Sequence, residues 1–443
     1  MFFKKLPPAL KITFGYFMVI IIGFLLLLLP FSSKPGVSIK AIDAFFTSAS
    51  AVCVTGLTVI PNINETLSIF GKIILVMLIQ VGGLGFVTIA VFVIMSIGIK
   101  IGATDRFFIK EALNQNSTRG IIRLIKTIVF TTLVIEGVGA IGYFIVFIQN
   151  YDFMNAVGKS LFHAVSAFNN CGFDILGSTS LIDYKDNILL NSVTSILIIL
   201  GGIGFIVIED VRTTRNFKKL AIHSKIVLIM TLILLVSGTI FLKFSEGINN
   251  DEFTWLQAFF QSVSARTAGF ATVDFCNLSS LTNLIMIVYM FIGASPCSTG
   301  GGIKTTTLFT MVKSVSVYSR GKKTIAYGRS ISDDTKLRAF ALTSLSICSV
   351  ILATILLLAF EKNNGLSNIT FEKAMFEATS AFGTVGLSMG LTPNLYPISK
   401  LIICLIMFLG RVGPLTIFSL FNRNWNKTDS SSIKYVEEKI IIG

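Results

Sequence analysis

The segment FFTSASAVCVTGL, residues 45–57, returns three more times in related form, and each copy closes on a glycine followed by an apolar residue. The other copies are LFHAVSAFNNCGF at 161–173, FFQSVSARTAGF at 259–270 and MFEATSAFGTVGL at 375–387. Glycine adopts backbone conformations that other residues resist, so four short loops of this kind can turn their carbonyl oxygens toward one axis. A ring of such oxygens can replace the water around a dehydrated cation.

The composition around these segments is typical of a membrane protein. Of the 443 residues, 53% are hydrophobic and only 14% are charged, and the apolar runs repeatedly reach membrane-spanning length. The six cysteines form no Cys-x-x-Cys pair, which argues against a disulfide framework or a zinc site. We therefore predict a polytopic membrane protein that binds no cofactor of its own.

The positive charge is distributed in blocks. The net charge is +14, and most of the 37 Lys and Arg residues fall in five segments: 4–11, 100–126, 212–225, 313–338 and 423–439. These segments alternate with the Gly-ended phrases, which is the positive-inside pattern of short cytoplasmic loops. Nucleic-acid binding would need the charge on one soluble face, and the sequence contains no soluble domain of useful size. We expect lipid contact and no nucleic-acid partner.

The spacing of the four phrases indicates internal repeats. Their glycines lie roughly 100 to 120 residues apart, and two long apolar runs separate each pair. We predict outer spans at 12–29, 121–148, 224–243 and 339–360, and inner spans at 69–98, 188–208, 281–312 and 398–421. The corresponding units are repeat 1 at 1–98, repeat 2 at 99–210, repeat 3 at 211–318 and repeat 4 at 319–422, with a cytoplasmic tail at 423–443. Eight spans place both termini in the cytoplasm.

The segment before each glycine is too short to cross a bilayer with a hydrocarbon core of roughly 30 Å. These segments must re-enter, and non-helical backbone at membrane depth needs a protein or water-filled surrounding. Pore helices that begin near Asp43, Asn155, Thr254 and Thr370 would aim their partly negative C-terminal ends at a central path, which favours a cation. The predicted fold is an all-α polytopic membrane protein with four membrane–pore–membrane repeats, eight spanning helices and four re-entrant pore helices around a pseudo-fourfold pore.

The four loops resemble those of the Trk/Ktr/HKT superfamily of potassium transporters, and most closely its bacterial Ktr-type, ion-translocating membrane subunit. The resemblance covers almost the whole chain. It implies a potassium filter built from Val54, Thr55 and Gly56; Asn170, Cys171 and Gly172; Thr267, Ala268 and Gly269; and Thr384, Val385 and Gly386. Four matches in order make the assignment specific.

The loops depart from the Thr-Val-Gly-Tyr-Gly filter of tetrameric potassium channels, because each contains one glycine and the flanking residues differ. We expect a potassium preference that is real but less strict. The third loop is one residue shorter and contains Arg266, which we expect to pair behind the loop. Acidic residues near the expected outer mouth include Asp174, Asp274 and Glu377, for which a solvated rim is an equal interpretation.

The third inner span contains a second motif, GASPCSTGGGIKT at 293–305. Proline and three consecutive glycines predict that the helix breaks in mid-membrane. The resemblance implies an intramembrane gating loop at 293–307 and a nearby arginine of the fourth repeat. The gate residues are Ser295, Pro296, Gly300, Gly301, Gly302, Lys304 and Arg411.

The two cationic residues of the predicted gate have different interpretations. A buried Arg411 must find acceptors, and the freed carbonyls of 295–302 are candidates. Lys304 either helps to close the path or lies at the cytoplasmic end of the break and reaches water.

The resemblance implies potassium uptake across the cell membrane by a homodimer that sits on a cytoplasmic ring of nucleotide-binding, RCK-type regulatory subunits. Sodium-coupled symport and a less selective monovalent cation channel remain open, and sodium remains open as a second ion. An alternating-access transporter of a larger solute is a remote alternative, because such folds show paired broken helices in two halves. No constellation of a nucleophile, an acid/base pair or a metal cluster indicates an enzyme. Glu136, an acid within the second outer span, receives no assigned role.

Overall fold

The computed structural model describes residues 7–99, 101–113, 118, 120–177, 179–247, 252–321, 324–363 and 369–420. Within this part the regular secondary structure is helical except for one hairpin of two short strands. This confirms the predicted all-α class. The predicted tail at 423–443 lies outside the described residues.

The helices follow one order four times: a long helix, a short helix, and a pair of helices separated by a break. Unit 1 contains α1 (Pro8–Leu27), α2 (Ala41–Val52), the single turn α3 (Ile63–Thr66), and the pair α4 (Ile69–Leu84) and α5 (Phe86–Ser96). A connecting helix, α6 (Ala103–Ala112), leads to unit 2, which contains α7 (Ile121–Phe147), α8 (Phe153–Phe168), and the pair α9 (Ile188–Ile203) and α10 (Phe205–Thr214).

Units 3 and 4 repeat this order. Unit 3 contains α11 (Ile222–Gly247), α12 (Trp255–Ser264), and the pair α13 (Ser280–Phe291) and α14 (Thr305–Tyr318). The hairpin of β1 (Ile325–Ala326) and β2 (Arg329–Ser330) follows, and its turn residues Tyr327 and Gly328 both have positive φ, as a type I′ turn requires. Unit 4 contains α15 (Asp333–Asn363), α16 (Phe371–Gly383), and the pair α17 (Pro397–Val412) and α18 (Pro414–Leu420).

The four long helices form the outside of the molecule. Each is long and apolar enough to cross a membrane, and large apolar side chains such as Leu133 and Val138 on α7 or Leu352 on α15 are well exposed. In a soluble protein such a surface would be an aggregation liability, whereas lipid is a suitable solvent for it. Counting the bent pairs α4–α5 and α9–α10 as one span each raises the spans in the described part from four to six.

The four short helices lie in the centre. Most residues of α2, α8, α12 and α16 are buried, and many are small, such as Ala44, Ala51 and Ala164. Thr254 and Gln257 form a capping box at the start of α12, and Thr370 caps α16. All four helices begin within two residues of the predicted starts and end immediately before a Gly-ended loop.

The inner spans differ from the prediction. We expected one interrupted inner span, the third, but all four are interrupted. The first two pairs bend by 101° and 94° at Gly85 and Gly204, whose φ values of 82° and 99° do not occur in a right-handed helix. The fourth breaks at Gly413, which has φ 93° and precedes a proline that disfavours helical backbone before it. In the third, 292–304 is non-helical, so Thr305 to Thr307 of the predicted gating loop already belong to α14.

Candidate functional site

The four Gly-ended loops meet in a closed ring. A Cβ atom added to each glycine would lie closer than 3.0 Å to the carbonyl oxygen of the residue that precedes the next loop's glycine. These contacts run from Gly56 to Cys171, from Gly172 to Ala268, from Gly269 to Val385 and from Gly386 back to Thr55. Four backbone carbonyl oxygens, one from each loop, therefore surround one axis.

The backbone φ angle alternates in sign along the last three residues of each loop. The glycine has positive φ, and so does the residue two positions before it, which is Val54, Asn170, Thr267 or Thr384, with φ between 50° and 73°. The residue between them has ordinary, negative φ. Alternation of this kind turns successive carbonyl groups to the same side, which is the arrangement of a carbonyl-lined cation path. All the predicted filter residues lie in these loops, and their side chains are fully buried.

A serine in the last turn of each short helix anchors the loop that follows it. The hydroxyls of Ser50 and Ser380 accept hydrogen bonds from the backbone N–H groups of Gly56 and Gly386, both at 3.1 Å. In the other two loops the serine hydroxyl is the donor: Ser166 and Ser264 donate to the carbonyl oxygens of Phe173 and Phe270, both at 2.6 Å.

These serines were not among the predicted site residues. Their signal was present, since each of the four phrases contains a Ser-Ala pair five or six residues before its glycine. These pairs are Ser50-Ala51, Ser166-Ala167, Ser264-Ala265 and Ser380-Ala381.

The third loop is one residue shorter than the others, and the difference lies in a single backbone turn. In the other loops the residue before the glycine donates its N–H five residues back, as Thr55 does to the carbonyl oxygen of Ser50 at 2.8 Å. Ala268 instead donates four residues back, to Ser264 at 2.9 Å. Arg266, at the start of this loop, is buried, and the described residues provide neither an ion pair for it nor a hydrogen-bond partner for its Nε atom. The predicted pairing is therefore not found there.

A cavity of about 450 Å³ opens on one side of the ring and is lined by all four glycines. Asp174 and Asp274 also line it, so the entrance carries negative charge. Burial raises the pKa of Asp174 to about 6, with hydrogen bonds such as that from the N–H of Leu176 acting in the opposite direction. Glu377 does not reach the cavity: it is buried and accepts hydrogen bonds from Thr392 and its neighbours.

The broken segment at 292–304 lies on the other side of the ring. Ser295 and Thr299 donate their N–H groups to the carbonyl oxygens of Gly202 and Gly201 at 3.0 and 3.3 Å. The carbonyl oxygen of Cys297 accepts from the N–H of Phe205 at 3.0 Å, which gives the first residue of α10 a partner. The segment is thus attached to the broken inner span of unit 2.

The glycines of this segment contact two of the Gly-ended loops. Gly300 lies against the side chain of Thr267, and Gly301 donates its N–H to the hydroxyl oxygen of Thr384 at 2.9 Å. A Cβ on either glycine would come closer than 3.0 Å to one of these threonines. The triple glycine therefore allows the segment to pack directly against two loops of the ring.

The two predicted gate cations both bind backbone carbonyl oxygens. Lys304 Nζ donates to Gly300 at 2.7 Å, so this side chain turns back to its own segment. Arg411 donates to the carbonyl oxygen of Thr299 and to those of Gly82 and Gly83 at the end of α4, the last at 3.1 Å. Arg411 thereby joins unit 4 to the broken segment and to unit 1.

A second cavity, of about 240 Å³, borders the broken segment. Lys304, Arg411 and Cys297 line it together with apolar side chains of α1, α5 and α7. Leu113, which follows α6 in the predicted cytoplasmic segment 100–126, also lines it. The ring and the broken segment therefore separate two cavities. The described residues contain no cluster of three or more His, Cys, Asp or Glu side chains that could hold a metal ion.

Comparison with known proteins assigns the family. The model of the TrkH family, described as "Cation transport protein", matches residues 16–431. The chain belongs to the TrkH family. Membership confirms that this is a multi-pass membrane transporter of the cation class rather than an enzyme.

Named relatives of the TrkH family align along the full length. Ktr system potassium uptake protein B of Bacillus subtilis is 39% identical over 448 residues, covering 99% of this chain and 97% of the relative. Potassium/sodium uptake protein NtpJ of Enterococcus hirae is 40% identical over 448 residues, covering 99% and 98%. The crystal structure of the potassium transporter TrkH from Vibrio parahaemolyticus superposes with a TM-score of 0.73 at 19% identity, covering 94% of this chain and 85% of that one. The structural likeness supports the fold, and the sequence likeness the family.

Proposed function

We propose that this chain is the membrane subunit of a potassium uptake system and that potassium passes along the axis of the four-loop ring. The observation that carries this proposal is the closed ring of carbonyl oxygens from Thr55, Cys171, Ala268 and Val385. Carbonyl oxygens can replace the hydration shell of an alkali cation, and their field repels anions. The C-terminal ends of α2, α8, α12 and α16 precede the loops and add partial negative charge.

Potassium is the proposed ion because the relatives that align over almost the whole chain are named potassium uptake proteins. One glycine per loop gives a shorter stack of carbonyl groups than a two-glycine filter. We therefore expect selection of potassium over sodium to be incomplete. The proposed filter consists of the predicted residue triplets that end at Gly56, Gly172, Gly269 and Gly386.

The segment that begins at Gly293 is the proposed gate. It packs against Thr267 and Thr384 of the ring, so an ion cannot pass the axis while it stays in place. Ser295, Pro296 and the glycines 300–302 form the segment. Lys304 donates a hydrogen bond to the carbonyl oxygen of Gly300 within the segment, and Arg411 attaches the segment to α4. Opening requires these hydrogen bonds to break and the segment to move aside.

Sodium-coupled potassium uptake, or a less selective monovalent cation channel, is the second candidate. It is favoured by the 40% identity to a relative that is named a potassium/sodium uptake protein. The remaining parts of the proposal are the four units at 1–98, 99–210, 211–318 and 319–422, and both termini in the cytoplasm. A homodimer on a ring of nucleotide-binding regulatory subunits completes it, supported by the relative named as a part of a Ktr system.

Ion fluxes into proteoliposomes test the proposal. Purified protein should take up radioactive rubidium, a potassium substitute, and external potassium should compete about tenfold or more better than sodium, since a tenfold preference needs only about 1.4 kcal/mol. Adding the regulatory ring with nucleotide should change the rate of uptake and leave this preference unchanged. Uptake that requires external sodium would favour symport, equal competition would favour the less selective channel, and absence of flux in folded protein would contradict the proposal.

A further inference from the structure

A buried polar cluster lies behind the second filter loop, on the side away from the axis. Its centre is Glu136 in the outer helix α7, which is only 6% exposed. A carboxyl group at membrane depth is costly unless it is hydrogen bonded, and such residues usually have a function. The ring and the gate do not include it.

Glu136 has two amide partners from two different units. Its Oε1 accepts from Asn169 Nδ2 at 3.0 Å, and its Oε2 accepts from Gln80 Nε2 at 3.2 Å. Gln80 Oε1 in turn accepts from Asn169 Nδ2 at 2.7 Å. The three side chains thus form a closed triangle in which each contacts the other two. In a medium of low dielectric constant these hydrogen bonds are strong, although Asn169 Oδ1 itself has no partner among the described residues.

Asn169 connects this triangle to the filter loop. It is the C-cap residue of α8 and directly precedes Asn170, the first residue of the proposed second filter segment. Its Nδ2 also donates to the carbonyl oxygen of Val165 at 2.9 Å. Because its side chain is hydrogen bonded to both Glu136 and Gln80, Asn169 has little freedom to rotate. The positions of the carbonyl groups of residues 170–172 therefore depend on this residue.

Only the second loop has a hydrogen-bonded triangle of this kind in the described part of the chain. The residues that correspond to Asn169 in the other loops are Cys53, Arg266 and Gly383. Cys53 and Gly383 cannot form an amide triangle, and Arg266 has no hydrogen-bond partner for its Nε in the described part of the chain. The second loop is therefore held from behind in a way that the other three are not.

The triangle also lies next to the residues of α4 that bind Arg411 of the proposed gate. Gln80 lies one turn before Gly83 on α4, and a Cβ on Gly83 would clash with the Asn169 side chain. The carbonyl oxygen of Gly83 accepts from Arg411. The end of α4 therefore presents a side chain to the filter loop and a backbone carbonyl group to the gate.

We infer that Glu136 is a positioning residue for cation preference: it holds Asn169, and through it the second filter loop, in the geometry that favours potassium over sodium. This inference rests on the proposed function. Removal of the carboxyl group frees the Asn169 amide, and the loop relaxes toward a wider or irregular ring. Sodium, which needs a different coordination, then competes better while the pore itself stays intact.

The test compares two substitutions at Glu136 with a matched control on the same helix. Glu136→Leu removes both hydrogen bonds, and Glu136→Gln keeps the size and one acceptor. The control is Tyr143→Phe, which removes a different buried hydrogen bond of α7, that of the Tyr143 hydroxyl with Thr194 at 2.8 Å. Each variant is reconstituted, and rubidium uptake is measured against increasing sodium and potassium, with thermal unfolding recorded in parallel.

We expect Glu136→Leu to lower the preference for potassium over sodium by about threefold or more, because both hydrogen bonds of Glu136 are lost and even one buried hydrogen bond is worth a change of about this size. Glu136→Gln should lie between Glu136→Leu and the wild type, and Tyr143→Phe should keep the wild-type preference even at an equal loss of thermal stability. Asn169→Ala added to Glu136→Leu should lower the preference little further, because both changes remove the same contact.

Wild-type preference in folded Glu136→Leu protein, or full additivity with Asn169→Ala, overturns the inference and leaves the proposed function intact. If Glu136→Leu does not fold, Gln80→Ala opens the triangle from α4 and should show the same loss of preference. A wild-type protein without any preference would overturn the proposed function itself, and this inference with it.

Discussion

The four glycines of the ring face backbone carbonyl oxygens of the neighbouring loops with no room for a side chain between them. Beside them, Val54, Thr267 and Thr384 hold positive φ although they are β-branched, a conformation that costs such residues about 1–3 kcal/mol each. Complete burial of these side chains in the helices around the ring holds them there. Strain of this kind, kept at one site by its surroundings, is typical of functional positions.

Replacing Gly172 or Gly386 by serine should reduce the preference for potassium over sodium by roughly tenfold, because a side chain at positive φ costs about 1–2 kcal/mol and would also displace the neighbouring loop. Gly390→Ser is the matched control. Gly390 also has positive φ and lines the same cavity, but its Cβ would meet only Cys276 Sγ at 3.6 Å. Competition of rubidium uptake by sodium measures the effect. Equal preference in all three variants would show that the loops do not select the ion.

At the scale of elements, the inner helices are organised by their breaks. Gly85, Gly204 and Gly413 end the first helix of three pairs, and the freed carbonyl groups just before these breaks become acceptors. Those of Gly201 and Gly202 hold the broken segment of unit 3, and those of Gly82 and Gly83 hold Arg411. Backbone carbonyl groups released by one break thus bind residues of another unit, which gives these groups partners at membrane depth.

Arg411→Ala should raise rubidium uptake in the absence of regulatory subunits, because the broken segment loses its attachment to α4. Deletion of Gly300 to Gly302 should raise it further, and Arg411→Ala should then have little additional effect. Arg411→Lys should lie between wild type and Arg411→Ala, since an ammonium group cannot span the same acceptors. Arg338→Ala, at an exposed arginine paired with Asp334, is the control. Fully additive effects would mean that the arginine and the segment do not act as one gate.

At the scale of the whole molecule, the ring and the broken segment separate two cavities. Each contains one cysteine that is not fully buried: Cys276 in the larger cavity and Cys297 in the smaller one. The two thiols therefore report from opposite sides of the proposed barrier.

If both termini are cytoplasmic, a membrane-impermeant maleimide should label Cys276 only from outside the cell and Cys297 only from inside. Burial, and after it the charge of Asp274, raises the pKa of the Cys276 thiol above its ordinary value, so labelling should be slow at pH 7 and faster at pH 8.5. Mass spectrometry of right-side-out and inverted vesicles measures this, with Cys276→Ser as the control. Labelling of Cys297 from outside would reverse the proposed orientation.

Properties that depend on neighbours along the chain could be predicted from the sequence alone. The apolar runs required a membrane, the glycine-closed phrases required short helices that stop in mid-membrane, and Pro296 with three glycines required a break in the third inner span. These are local properties of backbone and solvent transfer, so they could be predicted, and the family followed from the same motifs. Arg411 could be matched to the broken segment because a buried guanidinium needs acceptors.

Which distant groups come into contact depends on the tertiary structure. Closure of the ring depends on four loops brought together, and the attachment of Arg411 to Gly83 joins residues that no local pattern relates. Glycines in apolar helices are also common packing or kink residues, so the sequence did not predict the full breaks at Gly85 and Gly204. Glu136 could not be interpreted from the sequence for the same reason: its partners, Gln80 and Asn169, come from different units, and burial rather than spacing selects them.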